Sequence, residues 1–331
     1  MTNEITNSVV SLKLVGRNSL NLKKKKRNEV NEMDAKNNWK AWLYLAPVLI
    51  LMAVFLIYPL VDTFIISFYK DYNYIKGTNA GLTFDNYLYV LGFLTIDGAR
   101  ETRVIEYAIP NTLFLTFVTV PLSIIIALLI SVGLNALKWF QKIIQTIFFL
   151  PYVTNTIAVG MVFAVLFDKN GLINYIFGSD KSWIANAQRW DAMVPLVIYI
   201  VWSSLPFKIL VFLSGLQGID KQYYQAAQID ATPKWKTLLR ITVPLLSPQI
   251  LYIMITSFIG AFKEYSSIVG LFNNPGTSPN DFSLYTVVYY VYNQFNSGDL
   301  HYAAAAAVLL FIVILIFTAV QFAVSKKRVH Y

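Results

Sequence analysis

The sequence predicts an all-α, polytopic membrane protein with six transmembrane helices and both termini on the inner side. Three observations carry that prediction. Of the 331 residues, 56% are hydrophobic and only 14% are charged, too little charge for a soluble domain of this length. Several apolar runs exceed about 18 residues, long enough for a helix to cross a bilayer. Lys and Arg gather in alternate connecting segments, as retention of cations on the cytoplasmic face requires.

Residues 1–38 are polar and rich in Asn and Lys, with little periodicity, and read as a disordered, basic cytoplasmic tail. Much of the formal charge of +9 lies here, including the run Lys23 to Arg27. Such a tail orients the first span and meets anionic lipid; a regulatory or nucleic-acid role is the competing reading. The apolar run after Trp39 is too long for a signal peptide, and no small-residue cleavage site follows it. The sequence has no cysteine, which excludes disulfides, thiolate metal sites and a cysteine nucleophile. Its two histidines, His301 and His330, make no metal constellation.

Residues 39–325 form the six-span domain, with a cytoplasmic loop at 215–247 and a short cytoplasmic tail at 326–331. The expected spans are Trp42–Phe68, Ile109–Leu134, Ile143–Phe167, Met193–Leu213, Pro248–Leu271 and Tyr302–Val324. At about 1.5 Å per residue, each covers roughly 30 Å of hydrocarbon. With the N-terminus inside, the inner segments hold 18 Lys and Arg and the outer segments hold 7. N-in and C-in follows. Among the outer segments, "GLTFDNYLYVL" reads as a short amphipathic piece and "NNPGTSPNDF" as a turn region. No internal repeat is evident.

The loop "QAAQIDATPKWKTLLRITVPLLSP", Gln225 to Pro248, is too polar to span and too patterned to be a plain linker. Ile219 to Asp230 suits a helix in which Ala226 and Ala227 allow close approach of another surface. Thr232 then reads as an N-cap and Pro233 as the first position of a second helix. Trp235, Leu238 and Leu239 share one face of that helix. Val243-Pro244 is expected to end it, and Ser247-Pro248 to launch the fifth span. The product is a stiff helix–turn–helix bracket between two spans. It serves either as a mechanical coupler or as a surface helix that stabilises a tight turn.

These residues resemble the sugar-type inner-membrane permease subunits of ABC importers, the binding-protein-dependent group that includes the maltose and glycerol-phosphate permeases. The signature of that family runs roughly E-A-A-x-x-D-G-A, then I-x-L-P. Here "QAAQIDAT" and "ITVPLL" match it through Ala226, Ala227, Asp230, Ile241 and Pro244. The resemblance covers most of residues 42–324. "LAPVLILMAVFLIYPLVDTFIISF", "IPNTLFLTFVTVP", "FFLPYVTNTIAVGMVFAVLFDKNGLIN", "WSSLPFKILVFLSGLQGID" and "GDLHYAAAAAVLLF" follow one another in the order of the family's spans. Two positions depart from the pattern. Gln225 replaces a Glu, and Ala231 replaces a Gly. If the Gly position needs positive φ, Ala strains the turn by about 1 kcal/mol or more; otherwise Thr232-Pro233 reshapes it.

The resemblance implies a type I ABC importer permease fold in the bacterial cytoplasmic (inner) membrane. It implies that Gln225, Ala226, Ala227, Asp230, Ala231, Ile241 and Pro244 belong to a coupling loop that docks on a cytoplasmic ATPase. It implies three kinds of partner: a second permease subunit, usually a different chain; a pair of ATPase subunits that use ATP and Mg; and an extracellular solute-binding protein. Lipid surrounds the chain, and nucleic acid has no part. The sequence lacks the G-x-x-x-x-G-K-S/T phosphate loop, so this chain is expected to have no ATPase site, no cofactor and no metal of its own.

Polar groups inside spans need a reason, because hydrocarbon leaves them unsatisfied. The third expected span holds Asn155. The fourth holds Trp202, Ser203, Ser204, Pro206 and Phe207; the fifth holds Thr256, Ser257, Gly260, Lys263, Glu264 and Tyr265. The resemblance to maltose-type members carries sugar contacts to Ser203, Ser204, Phe207, Ser257, Gly260, Ala261 and Glu264. Hydroxyls and a carboxylate suit sugar hydroxyls, while Phe207 and Trp202 offer stacking faces. Each serine can instead bond its own helix carbonyl four residues back. Lys263 and Glu264 can instead be structural or interfacial. The expected function is therefore permease subunit of an ATP-driven importer of a sugar or sugar-like solute. An ion-coupled secondary transporter, which would call for repeated halves with interrupted helices, is the alternative. A membrane-embedded enzyme finds no motif to support it.

Overall fold

The computed structural model describes residues 39–40, 42–96, 98–136, 143, 145–147, 152–273 and 283–325. The expected basic tail, the C-terminal tail and nearly all of the "NNPGTSPNDF" turn lie outside them. The chain divides into two compact units, Met1–Asp62 and Thr63–Tyr331. Helix α1 (Trp42–Ile66) carries the chain from the first into the second and is long and apolar enough to cross a membrane.

In the second unit, the segment after α1 folds back through isolated bridges, Tyr69 with Leu82 and Asn73 with Thr78. The expected amphipathic piece contains α2 (Asp85–Val90). Two-residue strands β1 (Thr95–Ile96) and β2 (Ala99–Arg100) pair antiparallel. Three further long apolar helices follow in the chain, α3 (Val104–Ala136), α6 (Arg189–Gln217) and α12 (Leu300–Ser325). With α1 they coincide with four of the six expected spans. Each is close to uniformly apolar, as a helix between lipid and protein must be.

The third and fifth expected spans differ from expectation. Within the third, α4 covers Thr156–Leu166, and the stretch before Tyr152 lies mostly outside the described residues. Asn155 is not a polar group within the span. It is the N-cap of α4, its Oδ1 accepting from the N–H groups of Ile157 at 2.8 Å and Ala158 at 3.4 Å. After α5 (Leu172–Phe177) and α6, the chain enters the bracket. The fifth span, expected without a break over Pro248–Leu271, is α9 (Ser247–Phe262) followed by a separate short helix, α10 (Ser266–Phe272). Lys263, Glu264 and Tyr265 form the break, so they are not neighbours on one helix. Then come α11 (Val287–Ser297) and α12.

Close packing follows the small residues. A Cβ on Gly160 in α4 would lie 2.6 Å from the backbone of Gly270 in α10, so these two helices approach where neither carries a side chain. One apolar cluster joins α3, α6 and the start of α9 through Ala127, Leu205, Ile209, Phe212, Leu213, Leu246 and Ile253. Another joins α3, α6 and α10 through Leu115, Leu196, Tyr199 and Ile268. Polar side chains tie the opposite end together. The Asn111 amide donates to the carbonyls of Ser283 at 2.9 Å and Tyr285 at 2.8 Å, while its Oδ1 accepts from Arg189. Thr112 Oγ1 accepts from the N–H of Val287 at 3.1 Å.

Candidate functional site: a polar cavity and the bracket beside it

The bracket is built from α7 (Lys221–Ile229) and α8 (Lys234–Leu245). Asp220 caps α7, its carboxylate accepting from the N–H of Gln222 at 2.9 Å. The end of α7 settles the question left open at Ala231. Ala231 has φ of +52°. The N–H of Thr232 donates to Ala227 at 2.9 Å and that of Ala231 to Gln228 at 3.0 Å, the double closure of a helix that ends in the left-handed region. The turn is therefore the one a Gly would make, built with Ala.

Three details of the bracket differ from the sequence reading. Pro233, not Thr232, is the N-cap of α8, and it offers no side-chain oxygen. Pro244 does not end α8; a π-helical turn over Leu238–Thr242 precedes it. That wider turn changes the hydrogen-bond register just before the residue that has no N–H to give. Ser247 is not a cap either. Leu246 holds that place, and the buried Ser247 hydroxyl meets no hydrogen-bond partner among the described residues. At Leu246 the axis turns by 72° from α8 into α9.

The bracket joins its spans tightly. A Cβ on Gly215, near the end of α6, would meet Leu246 at 2.8 Å and Gln249 at 2.9 Å. The Tyr224 hydroxyl lies 3.3 Å from that of Thr242, linking α7 to α8. Ala227 and Thr242 are buried, whereas Gln225, Ala226, Asp230 and Ala231 are exposed and Ile241 and Pro244 are partly so. Exposed apolar side chains stand among them: Tyr223, Ile229, Trp235 and Leu239.

Helices α3, α6 and α9 also line an open cavity of about 290 Å³. Ser203, Ser204, Phe207, Ser257, Gly260, Ala261 and Glu264 all line it. The structure thus brings all seven expected path residues together. Ser203 and Ser204 donate to the carbonyls of Ile200 at 3.1 Å and Val201 at 2.8 Å. Those are bonds to their own helix, three residues back rather than four, and they leave oxygen lone pairs for the cavity. Phe207 stacks on Tyr152, which lines the same cavity. Gly260 leaves open space where a side chain would stand. Glu264 sits at the break after α9. Its Oε1 accepts from the N–H of Ser267 at 3.0 Å, and its carbonyl accepts from the Thr286 hydroxyl at 3.0 Å. Trp202 does not reach the cavity lining; it packs against Phe163. Lys263 is exposed and also outside it.

Sequence reading passed over other wall residues, among them Thr119, Tyr152, Ile200 and Lys208. Lys208 had a signal. Once tails and loops are set aside, Lys208 and Lys263 are the only Lys or Arg within the expected spans. Among the described residues, no group of His, Cys, Asp and Glu is arranged to hold a metal ion.

The chain's similarities point the same way. Residues 124–331 match the family described as binding-protein-dependent transport system inner membrane component. The chain is 30% identical over 292 residues to the arabinooligosaccharides transport system permease protein AraP of Bacillus subtilis (strain 168), covering 86% of this chain and 88% of that protein. It is 28% identical to the lactose transport system permease protein LacF of Rhizobium radiobacter, over 87% of this chain and 94% of that one. It is 30% identical to the trehalose/maltose transport system permease protein MalF of Thermococcus litoralis, with the same coverage of each. In fold it is similar to a chain of a bacterial ABC transporter involved in the import of the acidic polysaccharide alginate. There the TM-score is 0.73 at 20% identity, over 89% of this chain and 98% of that one.

Proposed function

This chain belongs to the family of binding-protein-dependent transport system inner membrane components, and from that membership we propose that it conducts a carbohydrate across the membrane as a permease subunit of an ATP-driven importer. Family membership does not favour the ion-coupled alternative. The names of its relatives, which refer to arabinooligosaccharides, lactose and trehalose/maltose, support the carbohydrate class. A second permease subunit completes the path, an external binding protein delivers the solute, and a pair of cytoplasmic ATPase subunits supplies the work.

One observation carries the reading. The cavity, whose wall carries several polar side chains, lies among α3, α6 and α9, and the bracket is the segment that connects α6 to α9. The cavity wall can serve a sugar. Hydroxyls of Ser203, Ser204, Thr256 and Ser257 and the Glu264 carboxylate exchange hydrogen bonds with sugar hydroxyls. The face of Phe207 covers apolar ring faces. In this account the exposed apolar residues of the bracket, Ile229 and Trp235 among them, dock on an ATPase subunit. Closure of the ATPase pair on ATP then moves the bracket. Its helix pair, joined by the Schellman-type turn at Ala231, and the tight Gly215–Leu246 approach pass that motion to α6 and α9, opening the cavity to one side and then the other. Gln225 in place of a Glu removes a charge at the dock. Exposed ion pairs contribute only about 0–1 kcal/mol, so docking persists.

Affinity purification through a tag on this chain tests the proposal. The expected co-purifying set is a second permease chain, an ATPase and a binding protein, and vesicles containing them take up carbohydrate with ATP and without response to uncouplers. Uptake that collapses with the ion gradient and needs no ATP would refute it.

A further inference from the structure

We propose that Lys208 is a specificity-determining residue of this cavity: it donates a hydrogen bond to an uncharged, polyhydroxylated solute and, together with Glu264, disfavours charged ones. The inference rests on the carbohydrate reading above and adds the solute's charge class and the residue that reads it. Lys208 is not among the positions that the family resemblance carries over.

Lys208 is 4% exposed. Its ammonium donates to Ser123 Oγ of α3 at 2.5 Å and to Ser204 Oγ of α6 at 3.1 Å. Both hydroxyl protons are already committed, Ser123 to the carbonyl of Val120 and Ser204 to that of Val201. The two oxygens are therefore held as acceptors, aimed at the ammonium. An ammonium has three N–H donors. The third meets no acceptor among the described residues, and Lys208 lines the cavity.

Nor is the charge paired. The ion pairs among the described residues are Arg103 with Glu101 and Lys181 with Asp191. Glu264 lines the same cavity but stands elsewhere on its wall. Among the described residues, Lys208 and Glu264 form no ion pair with each other. The wall thus offers a donor-only cation at one point and, with Glu264 ionised, an acceptor-only carboxylate at another, with serine and threonine hydroxyls also lining it.

A sugar hydroxyl both donates and accepts, so one neutral polyol can satisfy Lys208 and Glu264 together. A uronate or phosphate gains at Lys208 and is repelled by Glu264; an amine meets the reverse. Away from water both effects grow, and discrimination by such repulsion needs no added contact.

The test uses the complete importer, purified through this chain and locked with a non-hydrolysable ATP analogue, so that the external binding protein does not set the affinity. Equilibrium binding is measured with maltotriose, lactose and arabinotriose, and with trigalacturonate as an acidic probe, for wild type, Lys208→Met and Lys208→Arg. At least one neutral probe is expected to bind wild type. Lys208→Met should weaken it by about tenfold or more, the worth of one charge-assisted hydrogen bond, and Lys208→Arg should recover most of the loss. Trigalacturonate should bind wild type at least about tenfold more weakly. Unchanged affinity in Lys208→Met, with assembly and ATP binding intact, overturns the inference and leaves the carbohydrate reading standing. So does tight trigalacturonate binding that depends on Lys208, which would make the lysine an anion partner. Failure of wild type to bind any of the four probes, with no ATP-dependent carbohydrate uptake, brings down the carbohydrate reading and this inference with it.

Discussion

The N–H of Thr232 donates to the carbonyl of Ala227 at 2.9 Å, and that bond closes the first bracket helix by holding the intervening Ala231 at φ of +52°. A left-handed alanine is strained by about 1 kcal/mol relative to glycine. Ala231→Gly should therefore stabilise the bracket. Hydrogen exchange across residues 221–245 should slow, and thermal stability should rise or hold. A loss of protection there would mean that the turn gains more from the stiffness of Ala in the unfolded chain than it loses in strain.

The crossing of α4 and α10 depends on two glycines. A methyl group on Gly160 meets the Gly270 backbone at 2.6 Å, and rigid backbone cannot yield as a side-chain tip can. Gly160→Ala should cost about 1–3 kcal/mol by overpacking and lower the yield of folded protein. Normal thermal stability in that variant would show that the helices do not approach this closely.

Asn111 holds the turn before α11 through two carbonyls, those of Ser283 and Tyr285, and it also receives Arg189. Asn111→Ala removes the donor shared by the two carbonyls and the acceptor of Arg189, at about 0.5–1.5 kcal/mol for each hydrogen bond lost. Thermal unfolding in detergent should report that loss. Asn111→Asp should not restore stability, because a carboxylate cannot donate to those carbonyls.

Much of this was legible in the chain, and what was hidden shares a physical cause. The long spans announced themselves because apolar length is a local property. That seven expected path residues line one cavity was legible because hydroxyls and a carboxylate in apolar runs call for a partner and because the resemblance carries the positions over. The break at Lys263–Tyr265 was not legible. It lies inside an apolar run, and the contact that helps fix it comes from Thr286, 22 residues away. In sequence Asn155 reads as a polar group within a span, because its capping role depends on where α4 begins. Lys208 could be seen as a cation within a span. Its meaning depends on Ser123, which is 85 residues distant in the chain. In the bracket, helix-stop residues misled where a π-turn accommodated Pro244.

Docking of the bracket has its own check. Ile229 and Trp235 are 85% and 61% exposed. Single cysteines at these positions, in a chain that otherwise has none, should cross-link to the ATPase subunit in a transport-competent assembly. A cysteine at Tyr175, also exposed and in a segment expected on the opposite face of the membrane, should not. Equal cross-linking at all three would remove the bracket's assigned role.

Solute is proposed to pass between α3, α6 and α9. The most direct measurement fills that space and follows uptake and ATP hydrolysis together in reconstituted vesicles. Gly260→Trp puts an indole where the wall is open and touches neither the bracket nor the glycine crossing. The account predicts that carbohydrate uptake falls by at least about tenfold, more than about 1.4 kcal/mol in the rate-limiting step, while the partner's ATP hydrolysis continues. Uptake at the wild-type rate in a folded, assembled Gly260→Trp importer would contradict it.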